Sequence, residues 1–330
     1  MIERKTIEFE TAPRSLNWKD GQLIDWVGGG NLYSLNGDFR DSQRRYAYKF
    51  DSVIQSEDGV YSIIYEKLGT KAIVLKKGEL IRELNISYYQ AGAYEFPIQF
   101  IKLQNDKYGI LYCPNEYNLL EIEDAETGEK ITQTHDRNPD DCFHSRLRVN
   151  PSNTVLLNTG WIWHPYGIIE LYEIGEGIKD NSIFDKITLD FPTKAEICSA
   201  EFLDDDLVMV SSTSENPIFD NELADSVNLL PGQIGLYSIS EKRFLKKNFV
   251  DFKLGTLIPI NQHQALDLYE HPKLIDLDSG QAKIRFEDIN SGKQNSAIIH
   301  HLDHIPPIAV DMKHKRIAIG NGNKIELLTF

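Results

Sequence analysis

A four-strand unit repeats along almost the whole chain, and no other feature of the sequence limits its possible folds as much. Apolar or alternating runs of about four to seven residues, rich in Ile, Val, Leu, Tyr and Phe, are each closed by Gly, Asn, Asp, Ser or Pro. Examples are residues 61–65 (YSIIY), 71–75 (KAIVL) and 207–210 (LVMV). These residue types favour a pleated, half-buried surface, and helical periodicity is nearly absent. The pattern predicts an all-β protein.

Each unit is predicted to begin with two strands that are joined by an acidic or glycine turn. A variable loop follows, and then two more strands that are joined by a second turn. At Thr127-Gly128 and Ser279-Gly280 the glycine supplies the left-handed conformation that such a turn needs. Counting the units gives seven, of about 47 residues each. They span residues 14–50, 51–90, 96–133, 143–190, 196–249, 255–287 and 305–330.

The seventh unit has room for only three strands. Residues 5–9 (KTIEF) precede the first unit and can supply the missing fourth strand. That pairing would join both ends of the chain in one sheet and leave no open edge. Although the length alone suggests two domains, the seven units account for it in one. We therefore expect a single domain over residues 1–330, with an acidic loop insertion at 213–231.

One segment carries a resemblance to a known superfamily. Residues 144–157 (HSRLRVNPSNTVLL) are similar to the pattern H-x-x-x-V-x-F-S-P-D-G-x-x-L of WD40-type β-propellers. Leu171-Tyr172-Glu173 and Leu236-Tyr237-Ser238 stand where that superfamily often has a Trp-Asp pair, although the true dipeptide is missing. The resemblance covers nearly the whole chain. It implies a seven-bladed β-propeller with four-stranded antiparallel blades, an N-terminal strand that closes the last blade, and a non-catalytic protein-interaction scaffold.

The charge balance restricts the partners of such a scaffold. With 35 Lys and Arg against 50 Asp and Glu, the net charge is −15. This average field repels nucleic acid and acidic membranes, so we expect neither as a partner. A protein with a basic surface is the expected partner.

Three further observations concern the environment of the chain. The first ten residues (MIERKTIEFE) carry five charges where a signal peptide needs an apolar stretch, and no window approaches 18 consecutive apolar residues. Cys113, Cys142 and Cys198 lack the spacing of a disulfide framework or a zinc site. We expect a cytoplasmic protein that is a monomer by itself.

The segment 159–167 (TGWIWHPYG) concentrates aromatic side chains between two predicted strands. Trp161 and Trp163 alternate, so an extended path would present both to the same side. Together with His164 and Tyr166 they can anchor a partner, because Trp and Tyr combine a large contact area with a polar group. They can equally fill the gap between neighbouring blades, and the sequence leaves both interpretations open.

The polar segment 135–144 (HDRNPDDCFH) is long enough to reach over the same end of the molecule. In propellers the loops after second strands and those between blades emerge on one face, so we expect this segment to neighbour 159–167. Its candidate partner contacts are His135, Asp136, Arg137 and His144. The preceding junction adds Tyr88, Tyr89 and Tyr94. A His-Asp pair is capable of acid-base chemistry, but no nucleophile is marked by a motif, so we predict no catalytic residue.

The insertion at 213–231 is longer than an ordinary loop and is acidic. Its candidate contacts are Phe219 and Asp220. An interaction loop and a mobile decoration are both compatible with this composition, and its acidity favours a basic partner.

The alternative function is a metal-dependent propeller hydrolase, lactonase or lyase that acts on a small molecule. His300, His301 and His304 form an H-H-x-x-H motif that would supply imidazole ligands. On a strand, however, His300 and His301 point to opposite faces and cannot both reach one ion unless the chain bends. The main hypothesis therefore includes no metal and no cofactor.

Overall fold

Antiparallel strands form seven blades and one small two-stranded sheet in the computed structural model, which describes residues 2–132, 136–163, 165–214 and 227–330. The innermost strands of successive blades contact one another from blade 7 through blades 1 to 6, and a cluster of buried side chains between blades 6 and 7 completes the ring. This is the architecture of a β-propeller, in which the sheets radiate from a central channel. The predicted all-β, seven-bladed fold is confirmed.

The first four blades follow each other along the chain. Blade 1 contains β2 (Asn17–Lys19), β3 (Gln22–Asp25), β4 (Asn31–Tyr33) and β5 (Phe39–Arg40). Blade 2 contains β6 (Ser52–Gln55), β7 (Tyr61–Tyr65), β8 (Lys71–Lys76) and β9 (Glu79–Asn85). Blade 3 contains β10 (Ile98–Lys102), β11 (Tyr108–Tyr112) and β12 (Glu121–Asp124). Blade 4 contains β13 (Arg148–Val149), β14 (Val155–Asn158) and β17 (Glu170–Glu173), with a small hairpin of β15 (Trp161–Ile162) and β16 (Tyr166–Gly167).

The last three blades all have four strands. Blade 5 contains β18 (Ile197–Phe202), β19 (Leu207–Ser212), β20 (Gln233–Ser238) and β21 (Arg243–Phe249). Blade 6 contains β22 (Leu257–Asn261), β23 (Gln264–Asp267), β24 (Lys273–Asp276) and β25 (Gln281–Arg285). Blade 7 contains β26 (Ile308–Asp311), β27 (Arg316–Asn321), β28 (Lys324–Thr329) and β1 (Glu3–Glu8).

Blades 3 and 4 depart from the regular pattern at their outer edges. In blade 3 an isolated antiparallel bridge between Glu123 and Lys130 occupies the fourth position. In blade 4 the chain leaves β17 directly into the helix α1 (Ile174–Lys179) and then a 3-10 helix (Asn181–Asp185). Two further 3-10 helices span Gln104–Asp106 and Met312–His314. None of the described helices is long and apolar enough to cross a bilayer.

The observed sheets of blades 1 to 6 lie inside the units predicted for them. The predicted closure of the ring is also found, although the closing strand spans Glu3–Glu8 and not residues 5–9. β1 pairs with β28 over six residues, from Glu3 opposite Thr329 to Glu8 opposite Lys324. The guanidinium of Arg4 reinforces this pairing, because its Nε lies 2.9 Å from the Glu326 carboxylate. The turn glycines Gly128 and Gly280 have φ values of +76° and +70°, as a tight left-handed turn requires.

The core is divided into seven clusters of buried apolar side chains, one between each pair of neighbouring blades. Between blades 2 and 3, for example, Ile63 and Val74 pack with Ile110 and Tyr112. An eighth cluster does not follow this rule. It lies on one face of the ring and contains Tyr94, Phe143, Trp161 and Ala297.

Candidate functional site

The eighth cluster lies on the face that carries the blade junctions and the loops after second strands, which we call the loop face. The junction before blade 4 and the loop 159–168 meet there. Phe143 and Trp161 form an antiparallel bridge with two backbone hydrogen bonds of 2.8 and 3.0 Å. The segments 135–144 and 159–167 are therefore neighbours, as the connectivity predicts.

Three buried rings, which we call the aromatic base, fill the space between these segments. Phe143 and Trp161 stack with ring centroids 3.8 Å apart and an interplanar angle of 4°. Tyr94 meets both rings edge-on, at 72° to Phe143 and 69° to Trp161. All three residues are almost inaccessible to solvent. Stacked and edge-to-face rings of this kind hold each other in fixed orientations.

A second set of rings, the aromatic patch, lies on this base and reaches solvent. It consists of Tyr89, Tyr117 and Trp163. Tyr117 stacks on Phe143 at 4.4 Å, and Tyr89 lies 4.8 Å from Tyr117 and 6.3 Å from Trp163. Tyr89 is 46% exposed and Trp163 is 41% exposed. Large side chains that are held in place and yet exposed form a ready contact surface.

Carboxylates surround the aromatic patch. The hydroxyl of Tyr117 donates a 2.7 Å hydrogen bond to Oδ1 of Asp141, and burial together with this bond raises the pKa of the phenol. Glu116, Asp136 and Asp141 are exposed. The segments 86–97, 113–120, 136–144 and 159–167 together contain five carboxylates and a single arginine. Glu95 is buried next to Lys67 and Asp140 pairs with Lys186, so the exposed negative charge comes from the other three. This sector of the loop face is therefore acidic.

That single arginine does not offset the negative charge at the surface. The side chain of Arg137 is buried and forms an ion pair with Asp185, to which its Nε donates at 2.9 Å. Its Nη1 also donates to the carbonyl oxygen of Leu120 at 3.0 Å. Arg137 thus links the junction before blade 4 to the 3-10 helix Asn181–Asp185, and its side chain is not accessible to a partner.

His144 is also buried, directly beneath the junction. Its Nε2 lies 3.1 Å from the carbonyl oxygen of Asn118, and burial lowers its pKa to about 4. The ring is therefore neutral at pH 7, and its Nε2–H donates to that carbonyl. The phenol of Tyr166 is half-buried, and burial raises its pKa.

His144 is expected to make the propeller less stable in acid. Its pKa of about 4 lies below the ordinary value of 6.5. Below pH 6.5 the imidazole therefore binds a proton in the unfolded chain but remains neutral in the folded chain until the pH approaches 4. This difference costs about 2 kcal/mol of stability between pH 7 and pH 5. Urea unfolding of the wild type and His144→Gln at both pH values measures it, and the variant should lose that share of the pH dependence. Equal losses in both proteins would contradict the assignment.

A long junction between blades 6 and 7 runs across the loop face. In its residues 294–299, which we call the crossing segment, the carbonyl oxygen of Ala297 accepts a hydrogen bond from Glu95, and Ile299 donates to Ala93. Ile298 forms a bridge with Tyr94. Because blades 2 and 3 lie across the ring from blades 6 and 7, this segment spans the mouth of the central channel. It also packs Ala297 against the aromatic base.

The crossing segment is held in place by a hydrogen bond to a buried carboxylate, that of Glu95. Nε2 of Gln294 donates to the carboxylate of Glu95 at 2.8 Å, and Nζ of Lys67 lies 3.8 Å from the same carboxylate. Burial alone would raise the pKa of Glu95, but the positive charges of Lys67, Arg146 and Arg148 lower it. Glu95 therefore stays ionised and keeps its hydrogen bond to Gln294.

The predicted site residues are thus divided between several environments. Trp161, Arg137 and His144 are buried supports, and Tyr166 is half-buried, whereas Tyr89, Trp163 and Asp136 are accessible. The rings of Trp161 and Trp163 lie 5.5 Å apart and both contact Phe143, but Trp161 is buried whereas Trp163 is partly exposed. Four candidates lie outside the described residues, namely His135, His164, Phe219 and Asp220.

The histidines proposed as alternative metal ligands are also exposed. The rings of His300 and His301 lie 5.7 Å apart at an angle of 84°, and His304 follows in the same junction. Within the described part of the chain, no three or more His, Cys, Asp or Glu side chains are grouped so as to hold a metal ion.

Tyr117, Phe143 and Asp141 are site residues that no sequence motif marks. Phe143 and Asp141 belong to the predicted segment 135–144, and Tyr117 lies in the loop after the second strand of blade 3. The rule that places such loops on one face was sufficient to find Tyr117. No sequence signal marked the crossing segment.

Comparison with known proteins identifies the fold but no relative in sequence. No family model and no curated protein matches the chain. Among solved structures, the Cps50 (Swd1) β-propeller domain of Myceliophteria thermophila has a TM-score of 0.62 at 11% identity and covers 99% of this chain and 100% of its own. The fold is that of a seven-bladed β-propeller.

Two other structures share this architecture. The Pan2 WD40 domain of Neurospora crassa has a TM-score of 0.57 at 10% identity, with 96% of this chain and 89% of that chain covered. The computationally designed Ika8 protein has a TM-score of 0.52 at 11% identity, with 98% and 99% covered. At such identities the likeness establishes the β-propeller fold alone, and the function has to be argued from the loop face.

Proposed function

We propose that this WD40-type propeller is a non-catalytic protein-interaction module that binds a basic protein partner through its loop face. The aromatic patch of Tyr89, Tyr117 and Trp163 is the centre of the proposed surface. The observation that carries the proposal is the position of these rings, which are partly exposed on a buried, stacked base and are surrounded by carboxylates. Anchors of this kind bind with a small loss of side-chain entropy.

The other parts of the proposal follow from the same face. Exposed carboxylates at Glu116, Asp136 and Asp141 favour encounter with a basic surface and set the orientation of the partner. The insertion at 213–231 connects the second and third strands of blade 5, and its acidic composition favours the same basic partner. In this proposal the chain acts as one cytoplasmic domain, residues 1–330, and is a monomer until it meets its partner.

Affinity capture from the native cell tests the choice of surface. A tagged wild-type chain should recover a partner that the double variant Tyr89→Ala/Trp163→Ala loses. The matched control is Leu80→Ala/Phe249→Ala, which removes two side chains that are 50% and 62% exposed on the outer strands β9 and β21. The control should retain the partner. Equal capture by all three proteins, with unchanged unfolding curves, would show that the surface is wrong.

The recovered protein then has to bind the purified chain directly. Calorimetry should give one partner per propeller, with an affinity that decreases as the salt concentration increases, because exposed charges are screened. An affinity that does not depend on salt would contradict the expected basic partner.

A further inference from the structure

Two partly exposed rings of the aromatic patch meet at an angle and form a corner on the loop face. The centroids of Tyr89 and Trp163 lie 6.3 Å apart, and their planes meet at 71°. Both rings also contact Phe143, at 5.9 Å for Tyr89 and 5.5 Å for Trp163. Because Phe143 is buried and stacked on Trp161, the two walls of the corner are held in place before any ligand arrives.

The corner is uncharged but has negative charge beside it. Tyr89 packs against Tyr117, whose hydroxyl donates to the exposed carboxylate of Asp141. Glu116 is adjacent to Tyr117 in the chain and is also exposed. Arg137, the single arginine of the surrounding segments, is paired with Asp185 in the interior. The faces of the rings and the nearby carboxylates both attract a cation.

We propose that the corner between Tyr89 and Trp163 binds the guanidinium group of an arginine on the partner. This inference rests on the proposed function and specifies the chemistry of the contact. A guanidinium is flat and weakly hydrated, so it stacks on one aromatic face and donates in its own plane to a carboxylate such as Asp141. The ammonium of lysine is compact and strongly hydrated, so it gains less from the same corner.

Binding of small probes to the full chain tests this assignment directly. N-acetyl-arginine amide, the matching citrulline amide and the matching lysine amide are titrated while the indole N–H resonance of Trp163 is followed by NMR. Trp163→Phe assigns that resonance among the four tryptophans of the chain. We expect a saturable shift with the arginine probe and a dissociation constant of about 1 mM. The citrulline probe has nearly the same shape but no charge, and it should bind about five-fold more weakly.

Variants distinguish binding of the arginine probe at the corner from a general attraction of the probe to the acidic surface. Tyr89→Ala should weaken binding of the arginine probe about five-fold, and Asp141→Asn should weaken it and reduce its salt dependence. Tyr48→Ala is the control, because Tyr48 is a 37% exposed tyrosine in the junction between blades 1 and 2. It should leave the affinity unchanged.

Three results would overturn the assignment: no saturable shift of the Trp163 resonance, equal affinity for arginine and citrulline, or an equal loss with Tyr48→Ala. If any of these occurs while the captured partner is still lost on Tyr89→Ala/Trp163→Ala, the proposed function stands and the guanidinium assignment fails.

Discussion

Replacing Trp161 by alanine is expected to destabilise the propeller by about 3–5 kcal/mol, whereas Trp163→Ala should cost less than about 1 kcal/mol. Trp161 is 3% exposed, and its ring stacks on Phe143 and packs against Tyr94. Its removal leaves a cavity beneath the loop face, which the surrounding rings cannot fill. Trp163 already reaches solvent, so its removal opens no cavity. Urea unfolding of the two variants measures the difference.

In binding experiments, the same two variants distinguish a residue that supports the binding surface from a residue that contacts the partner. Trp161→Ala should weaken partner binding because the aromatic base collapses, and the loss should be accompanied by a lower unfolding midpoint. Trp163→Ala should weaken binding with almost no change in that midpoint. If the two variants were equally stable, the stacked base would not have the structural role that its burial indicates.

Arg137→Met is expected to destabilise the chain by about 3–5 kcal/mol, because it leaves the carboxylate of Asp185 buried without its counter-charge. The side chains of Arg137 and Asp185 are 4% and 2% exposed. The variant also removes the donor to the carbonyl oxygen of Leu120. The double variant Arg137→Met/Asp185→Leu should recover most of the loss, since replacing a whole buried pair by apolar groups is often neutral or stabilising.

A double-mutant cycle of urea unfolding energies measures this coupling. Lys179→Met provides the control, because Lys179 forms an exposed pair with Glu176 at 2.7 Å in α1. Exposed pairs contribute little, so the control should change stability by no more than about 0.5 kcal/mol. If the double variant were as unstable as Arg137→Met alone, the uncompensated charge would not be the cause.

Much of the fold was predictable from the sequence because its determinants are local. Alternating apolar residues recur in each unit and are closed by turns that contain glycine, such as Gly128 and Gly280, or Asn, Asp or Ser, and the number of units determines the number of blades. The order of the strands then brings the segments 135–144 and 159–167 to the same face. These steps need no knowledge of contacts between distant residues.

The details of the site depend on contacts that no local pattern records. Arg137 looks like an exposed residue in a polar segment, but it is buried because Asp185, 48 residues away, neutralises it. Trp161 and Trp163 alternate in the sequence, but the strand between them ends after two residues. The crossing segment depends on contacts such as Gln294 with Glu95, which are 199 residues apart.

The pairing of β1 with β28 has a consequence for the order of folding during synthesis. β1 leaves the ribosome before its partner β28 is made, and at ordinary rates of translation the interval is roughly half a minute. Until then β1 has no partner strand, and β2, the inner strand of blade 1, lacks its contact with β26 of blade 7. The sheet of blade 7 can therefore be completed only after the strands of the other six blades have been made.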